Sequence, residues 1–259
     1  MWKYILFFLD FNKKNTYNIH YDFMGDTYMK KYRNEWKYEC TNTDLEILKS
    51  KLDNLLPKDK HSNSDGMYIV HNLYFDDYKN VCALMTEAGD AARYKWRIRY
   101  YGDKPKDIKL ELKEKLFGRC HKETCMLTTS ECKKLIQGDA EDVFWKTDSK
   151  LVKRFCIDMM SRLFEPKVII EYERVAYVDT TLNVRITFDK NISSSYDIDH
   201  FLDNDYIKYP LQDKGMFVVE VKFDDILPGY IKELVTKECE KQIAFSKYYN
   251  GRKVLEMLK

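Results

Sequence analysis

From Arg93 to Tyr100 the chain reads Arg-Tyr-Lys-Trp-Arg-Ile-Arg-Tyr, alternating cationic residues with aromatic or aliphatic ones, the period-two pattern of a β-strand. Alternate side chains of a strand point to opposite faces, so Arg93, Lys95, Arg97 and Arg99 share one face and Tyr94, Trp96, Ile98 and Tyr100 the other. Same-face neighbours lie about 6.7 Å apart, where two cations repel by about 2.5 kcal/mol at an effective dielectric of about 20. Such a row calls for a polyanion. A solvated outer face of an antiparallel sheet also carries charge, but those faces usually mix signs, and no carboxylate interrupts this one. Three more segments repeat the alternation. Lys109, Glu111, Lys113 and Lys115 lie opposite Ile108, Leu110, Leu112 and Glu114; Arg185, Thr187 and Asp189 lie opposite Val184, Ile186 and Phe188; Val218, Glu220 and Lys222 lie opposite Phe217, Val219, Val221 and Phe223. A sheet closed into a barrel turns such polar faces either to water or into a lumen.

The remaining pattern predicts a first strand over residues 33–40, then a helix entered through a capping box, Thr43-Asp44-Leu45-Glu46. Its apolar face is Leu45, Leu48, Leu52, Leu55 and Leu56, and Pro57 ends it. A strand over 67–76 and a short helix over 78–87 precede the basic strand. Strands follow over 106–117 and, after the Phe117-Gly118 turn, on to 127. A second capping box, Thr128 to Glu131, opens a short helix ending near Gly138. Residues 150–163 read as helix, 168–178 and 183–189 as a hairpin, 216–223 as a strand and, after Pro228-Gly229, 230–248 as helix. Strands outnumber helices and most neighbours are antiparallel, which is an α+β pattern.

Composition narrows the partners. Charged residues make up 33% of the 259 but cancel to a net +2, so attraction for anions must come from local arrangement, and no general nucleic-acid binding is expected. Five Pro and nine Gly, with no Ser/Gly-rich linker, imply one domain. Seven cysteines without a Cys-x-x-Cys pair read as reduced thiols; Cys120, His121 and Cys125 are close together but match no common zinc spacing. His20, His61, His71 and His200 show no ligand or triad spacing and read as surface or local hydrogen-bonding residues. The apolar run at 4–9 is too short to span a bilayer and precedes no cleavage site, so no membrane segment and a cytoplasmic location are expected. Residues 10–28 lack periodicity. The expectation is an N-terminal extension over 1–28, a natural start at Met29 and a core domain over 29–259.

Eight motifs in order resemble one family: Arg-Asn-Glu-Trp-Lys-Tyr at 33–38, Asn-Leu-Tyr-Phe-Asp-Asp at 72–77, Lys-Trp-Arg-Ile-Arg-Tyr-Tyr-Gly at 95–102, Leu-Glu-Leu-Lys at 110–113, Glu-Tyr-Glu-Arg at 171–174, Val-Arg-Ile-Thr-Phe-Asp at 184–189, Val-Glu-Val-Lys at 219–222 and Phe-Ser-Lys-Tyr at 245–248. Together they are similar to the VTC domain, the polyphosphate polymerase domain of the vacuolar transporter chaperone, within the triphosphate tunnel metalloenzymes (CYTH-like). The resemblance implies an antiparallel β-barrel with peripheral helices and a C-terminal helix closing one mouth. It further implies a lumen that binds triphosphate or polyphosphate with Mn²⁺ or Mg²⁺ and transfers the γ-phosphoryl of ATP to a growing chain.

By resemblance, Lys37, Arg97, Arg99, Lys113, Lys122, Arg174 and Arg185 would line the tunnel, with Ser246 and Lys247 on the closing helix and Lys113, Lys247, Arg97 and Arg99 central to transfer. Glu220 would be the metal ligand, with Glu35 as a second candidate. The alternation independently puts Arg97, Arg99, Lys113, Arg185 and Glu220 on polar faces, whereas Lys122 and Arg174 rest on the resemblance alone. Two features depart from the family. The first strand carries Arg33-x-Glu35-x-Lys37 in place of the Glu-x-Glu-x-Lys of the hydrolase and cyclase branches, and Ala244 replaces a basic residue before Phe-Ser-Lys, leaving Lys241 as the nearest substitute. Three readings follow: polyphosphate polymerase; triphosphatase, with Glu35 or Glu111 positioning water unless they are lumen salt bridges; and a non-catalytic polyphosphate or nucleic-acid binder using Tyr94, Trp96 and Tyr100. The third needs those aromatics on the ligand side, and alternation puts them on the other.

Overall fold

The computed structural model describes residues 30–59, 66–239 and 241–258. The extension expected over 1–28, and His20 and His61, lie outside the described residues. In chain order the elements are β1 (Arg33–Thr41), α1 (Asn42–Asp53), β2 (Met67–Asp76), α2 (Val81–Glu87), β3 (Ala92–Tyr101), β4 (Lys106–Leu116), β5 (Arg119–Met126), α3 (Thr129–Ile136), α4 (Ala140–Lys146) and α5 (Lys150–Arg162). There follow β6 (Glu165–Asp179), β7 (Val184–Ser195), β8 (Tyr209–Pro210), β9 (Met216–Phe223), α6 (Gly229–Glu238), β10 (Lys241–Gln242) and α7 (Lys247–Glu256).

Hydrogen-bonded neighbours run β1, β5, β4, β3, β2, β6, β7, β9 and back to β1, a closed antiparallel barrel of eight strands. Which way the polar faces point is settled by what covers the apolar ones. Trp96, Ile98, Tyr100, Leu110 and Leu112 are fully buried in one cluster with Phe155 and Cys156 of α5 and Leu135 of α3. The Trp96 ring lies 4.9 Å from that of Phe155, and its Nε1 donates to Asp158 at 2.7 Å. On another side of the barrel, Ile186, Val219 and Val221 are buried with Leu45, Leu48 and Leu52 of α1 and Ile231 and Val235 of α6. Each such aliphatic side chain contributes about 1.5–3 kcal/mol by leaving water. Helices coat the outside, so the charged faces turn inward. Register then brings Lys113 opposite Lys95 and Lys122, Arg97 opposite Tyr74 and Glu111, and Lys37 opposite Glu220.

Three local expectations are corrected. The first capping box is made by Thr41, whose side chain accepts from Asp44 N while the Asp44 carboxylate accepts from Thr41 N at 3.0 Å; the helix therefore starts two residues earlier than Thr43 implied. Helix α4 follows Gly138, where only a helix end was expected. The helix expected over 230–248 breaks at Cys239, which is extended. Strand β1 pairs with β5 only at Arg33 and Asn34, so its later edge lacks a ladder partner on that side. Lys241 and Gln242 fill it by pairing with Glu39 and Tyr38, and Ile243 N donates to Lys37 O at 2.9 Å. Satisfying those backbone groups outweighs the helical periodicity of the segment. His200 behaves as expected, bonding to Asp197 three residues before it, whereas His71 is buried and meets Tyr206 Oη at 2.9 Å, 135 positions along the chain, because β2 places it in the core.

Helix α7 starts after this break and crosses one mouth of the barrel. Gly251 permits the close approach: a Cβ there would stand 2.3 Å from Ile170 Cδ1 and 3.3 Å from Ser194 Cβ. Gly251→Ala is expected to cost about 1–3 kcal/mol by overpacking. Ile170→Val removes the clashing methyl, so chemical denaturation of both single variants and the double variant should show the double recovering most of that loss. Simple additivity would sink this account of α7 docking.

Candidate phosphate-binding tunnel

The barrel encloses a cavity of about 570 Å³, whose wall carries eleven Lys and Arg against two Glu. Cations so crowded persist because carboxylates are threaded between them. Arg97 Nε donates to Glu111 Oε2 at 2.7 Å and Nη1 to Tyr74 Oη at 3.0 Å. Next along β3, Arg99 Nε donates to Asn72 Oδ1 at 2.7 Å and Nη2 to Tyr172 Oη at 3.1 Å. Lys113 Nζ donates to both oxygens of Glu35, at 2.9 and 2.7 Å. Arg174 forks onto Asp189 at 2.6 and 2.7 Å. Lys247 reaches down from α7 to Asp189 at 2.6 Å and Glu220 at 3.0 Å. Lys222 bridges Glu220 at 3.0 Å and Glu35 at 3.6 Å, and Lys37 stands 3.4 Å and 3.6 Å from the same pair.

Burial alone would push these carboxyls up, but the adjacent cations outweigh it, and Glu35, Glu111 and Glu220 are all held below the ordinary carboxylate range. Conversely, burial pulls Lys113 and Lys247 down, and Glu35 for the one and Asp189 with Glu220 for the other lift them above the usual lysine value. These paired groups are therefore ionised on both sides, with Lys113 and Lys247 fixed as ammonium groups before any ligand arrives.

Of the residues expected from sequence, Lys37, Arg97, Arg99, Lys113, Arg174, Ser246, Lys247, Glu35 and Glu220 line this one cavity. Lys122 and Arg185 do not. Lys122 donates to the outer oxygen of Glu111 at 2.7 Å and is 46% exposed; Arg185 is held by Asp59 and by Tyr68 Oη at 3.0 Å. Lys241 is exposed on β10, and two other basic groups reach the Phe245-Ser246-Lys247 segment: Lys37, whose Nζ donates to Phe245 O at 2.6 Å, and Lys95, whose Nζ donates to Ser246 Oγ at 2.8 Å. Lys95 and Lys222 already stood on charged faces by alternation, but nothing in the sequence singled them out. Tyr74 and Tyr172, which also line the cavity, lay within the 72–77 and 171–174 motifs but were given no role there.

The match to known proteins agrees with this wall. Residues 32–256 match the VTC domain over nearly the whole described chain. The chain belongs to the VTC domain family. Among solved structures, this VTC domain is similar to a putative adenylyl cyclase from Hippeastrum described as having a dominant triphosphatase activity, at 15% identity, TM-score 0.52, covering 86% of this chain and 96% of that one. It is similar at 15% identity and TM-score 0.50 to a putative adenylate cyclase from Bacillus halodurans, covering 84% and 95%. Both establish the triphosphate tunnel fold. No curated protein sequence matches the chain. None of the helices among the described residues is long and apolar enough to cross a membrane.

A divalent cation suits two of the VTC domain's carboxylates. Glu35 and Glu220 are ionised, lie close enough to share Lys37 and Lys222, and offer the hard oxygen donors that Mg²⁺ and Mn²⁺ take, leaving further positions to phosphate oxygens. Among the described residues, the one group of three His, Cys, Asp or Glu side chains with convergent ligand atoms is elsewhere: Glu114, His121 and Glu123 on β4 and β5, with the Arg154 guanidinium 3.7 Å from both carboxylates. The Cys120 and Cys125 thiols are not part of it.

Proposed function

We propose that this VTC domain, as one functional unit over residues 29–259 in the cytoplasm, binds ATP and polyphosphate in the barrel and transfers the γ-phosphoryl of ATP to a growing polyphosphate chain. The observation that carries the reading is the enclosed row of Arg97, Arg99, Lys113, Arg174 and Lys247, each held by a carboxylate or amide partner and aimed at one lumen. A cavity of about 570 Å³ accepts a triphosphate with room for part of a second chain.

In the transfer, an ionised terminal oxygen of the chain attacks the γ-phosphorus, the bond from γ-phosphorus to the β,γ-bridging oxygen breaks, and ADP leaves with the electron pair. No general base is required, because the attacking oxygen carries no proton at neutral pH. Charge spreading over the equatorial oxygens meets guanidinium forks from Arg97, Arg99 and Arg174 and ammonium groups from Lys113, Lys37 and Lys247, none of which must reorganise far. Glu220, with Glu35 beside it, would hold Mn²⁺ or Mg²⁺, whose bound charge neutralises phosphate oxygens. Ser246, at the N-terminus of α7, presents a hydroxyl to the same space.

The second reading is triphosphate hydrolysis on the same fold, in keeping with the activity described for the Hippeastrum protein. Hydrolysis needs a carboxylate free to position water. Glu111 is fully buried between Arg97 and Lys122, and Glu35 is clasped by Lys113, which favours transfer over hydrolysis. As for nucleic acid, Trp96 and Tyr100 are buried outside the barrel, where no base can stack on them. Incubation of purified protein with ATP and Mn²⁺, resolved into acid-labile chain and orthophosphate, tests the proposal: chain is expected, orthophosphate alone establishes the hydrolase, and neither product removes both.

A further inference from the structure

Lys95 is set apart from most lysines of the tunnel. Lys37, Lys113, Lys222 and Lys247 each face at least one carboxylate within 4.0 Å, whereas among the described residues no carboxylate lies within that distance of Lys95 or Lys115, and of these two it is Lys95 that is bonded to Ser246 at the start of α7. Its Nζ meets the Ser246 hydroxyl at 2.8 Å and stands 5.3 Å from the centre of the Tyr248 ring. The groups facing it are cationic or neutral: Arg93 and Arg97 on its own strand, Lys37 on β1, Lys113 on β4, Tyr74 on β2, Ser246 and Lys247 with Tyr248 at α7, and on α2 the Cys82 thiol, which burial holds protonated. The nearby carboxylate Asp76 is turned to the Tyr248 hydroxyl and to backbone N–H groups of α2.

We propose that Lys95 is a phosphate-binding residue of the tunnel that takes up a proton as the anion enters, so that substrate capture is coupled to proton uptake. The inference rests on the reading of the cavity as a phosphate site. Burial, with Lys37 and Lys113 adding to it, lowers this amine to about 7. Above that pH the side chain is largely neutral until a phosphate supplies the missing negative charge. The partner makes the coupling sharper. A neutral amine accepts the Ser246 O–H, whereas an ammonium can only donate to Ser246 Oγ. Oγ already accepts from Tyr249 N at 3.3 Å as the cap of α7. Protonation therefore occupies both lone pairs of Oγ and frees its O–H to donate to phosphate, so one proton adds a positive charge and one free donor to the site.

The test is calorimetric titration of tripolyphosphate into the protein at about pH 8, in buffers of different ionisation enthalpy, where the free ligand in excess Mg²⁺ carries no titrating proton. Wild type is expected to take up close to one proton per ligand, and its affinity to fall by up to about tenfold per pH unit above 7. Lys95→Arg, permanently charged, is expected to bind at least as tightly with uptake near zero and a flat pH profile. Lys95→Met is expected to lose uptake and bind about tenfold more weakly, with thermal unfolding confirming that both variants fold. Equal uptake in wild type and Lys95→Arg, or tight binding by wild type with no uptake, overturns the role of Lys95 alone. Absence of binding by all three proteins overturns the phosphate reading of the cavity with it.

Discussion

Lys113→Ala is expected to lower ATP turnover by about 100-fold or more while leaving the barrel folded. The ammonium is fixed by two hydrogen bonds to Glu35 and by register between β3 and β5, so it is a preorganised positive charge of the kind whose removal costs about 10²–10³ in rate. Glu35 is not stranded by the change. Lys37 and Lys222 each remain 3.6 Å away, and a buried carboxylate with two cations beside it stays ionised. Steady-state product formation from ATP and Mn²⁺ would show the loss mainly in kcat if Lys113 acts on the transition state, and mainly in KM if it only holds substrate. Wild-type turnover in the variant would remove Lys113 from the site.

Glu111→Gln is expected to destabilise the ligand-free protein by about 3–5 kcal/mol, the usual cost of leaving buried charge without its counter-ion. Glu111 is completely buried; it accepts from Arg97 and Lys122, with Arg99 at 3.7 Å, so its loss leaves three cations to repel one another. For a domain of this size that lowers the melting temperature by roughly 10 °C. Tripolyphosphate should restore more stability to the variant than it adds to wild type, because the incoming anion replaces the missing charge. Thermal unfolding with and without tripolyphosphate reads both effects. Equal gains in the two proteins would mean that Glu111 only braces the wall and that the ligand does not reach Arg97 and Arg99.

Alternation along β3, β4, β7 and β9 was enough to assign Arg97, Arg99, Lys113 and Glu220 to polar faces, because a strand has a strict period of two and an error of one residue would invert every side chain. The resemblance added Lys37, Arg174, Ser246 and Lys247, all of which line the cavity. It also brought in Lys122, and both it and alternation brought in Arg185, but these side chains end in Glu111 and Asp59 instead. A strand pattern assigns a side chain to a face, but not to a depth along the barrel. The region after Cys239 failed for a different reason: helical periodicity from 230 to 248 is real over α6, but an unpaired edge of β1, distant in sequence, captures residues 241–243.

The amino-acid order alone thus contains the strands, their two-sidedness and the excess of inward cations, since these depend on local stereochemistry and on which side chains avoid water. Closure of the sheet, the pairing of most lumen cations with carboxylates, and the setting of Lys95 against Ser246 instead emerge only when eight strands and α7 meet. Charges couple through space over a few ångströms, and residues as far apart as Lys95 and Ser246, or Lys37 and Glu220, become neighbours only through the register of the closed barrel.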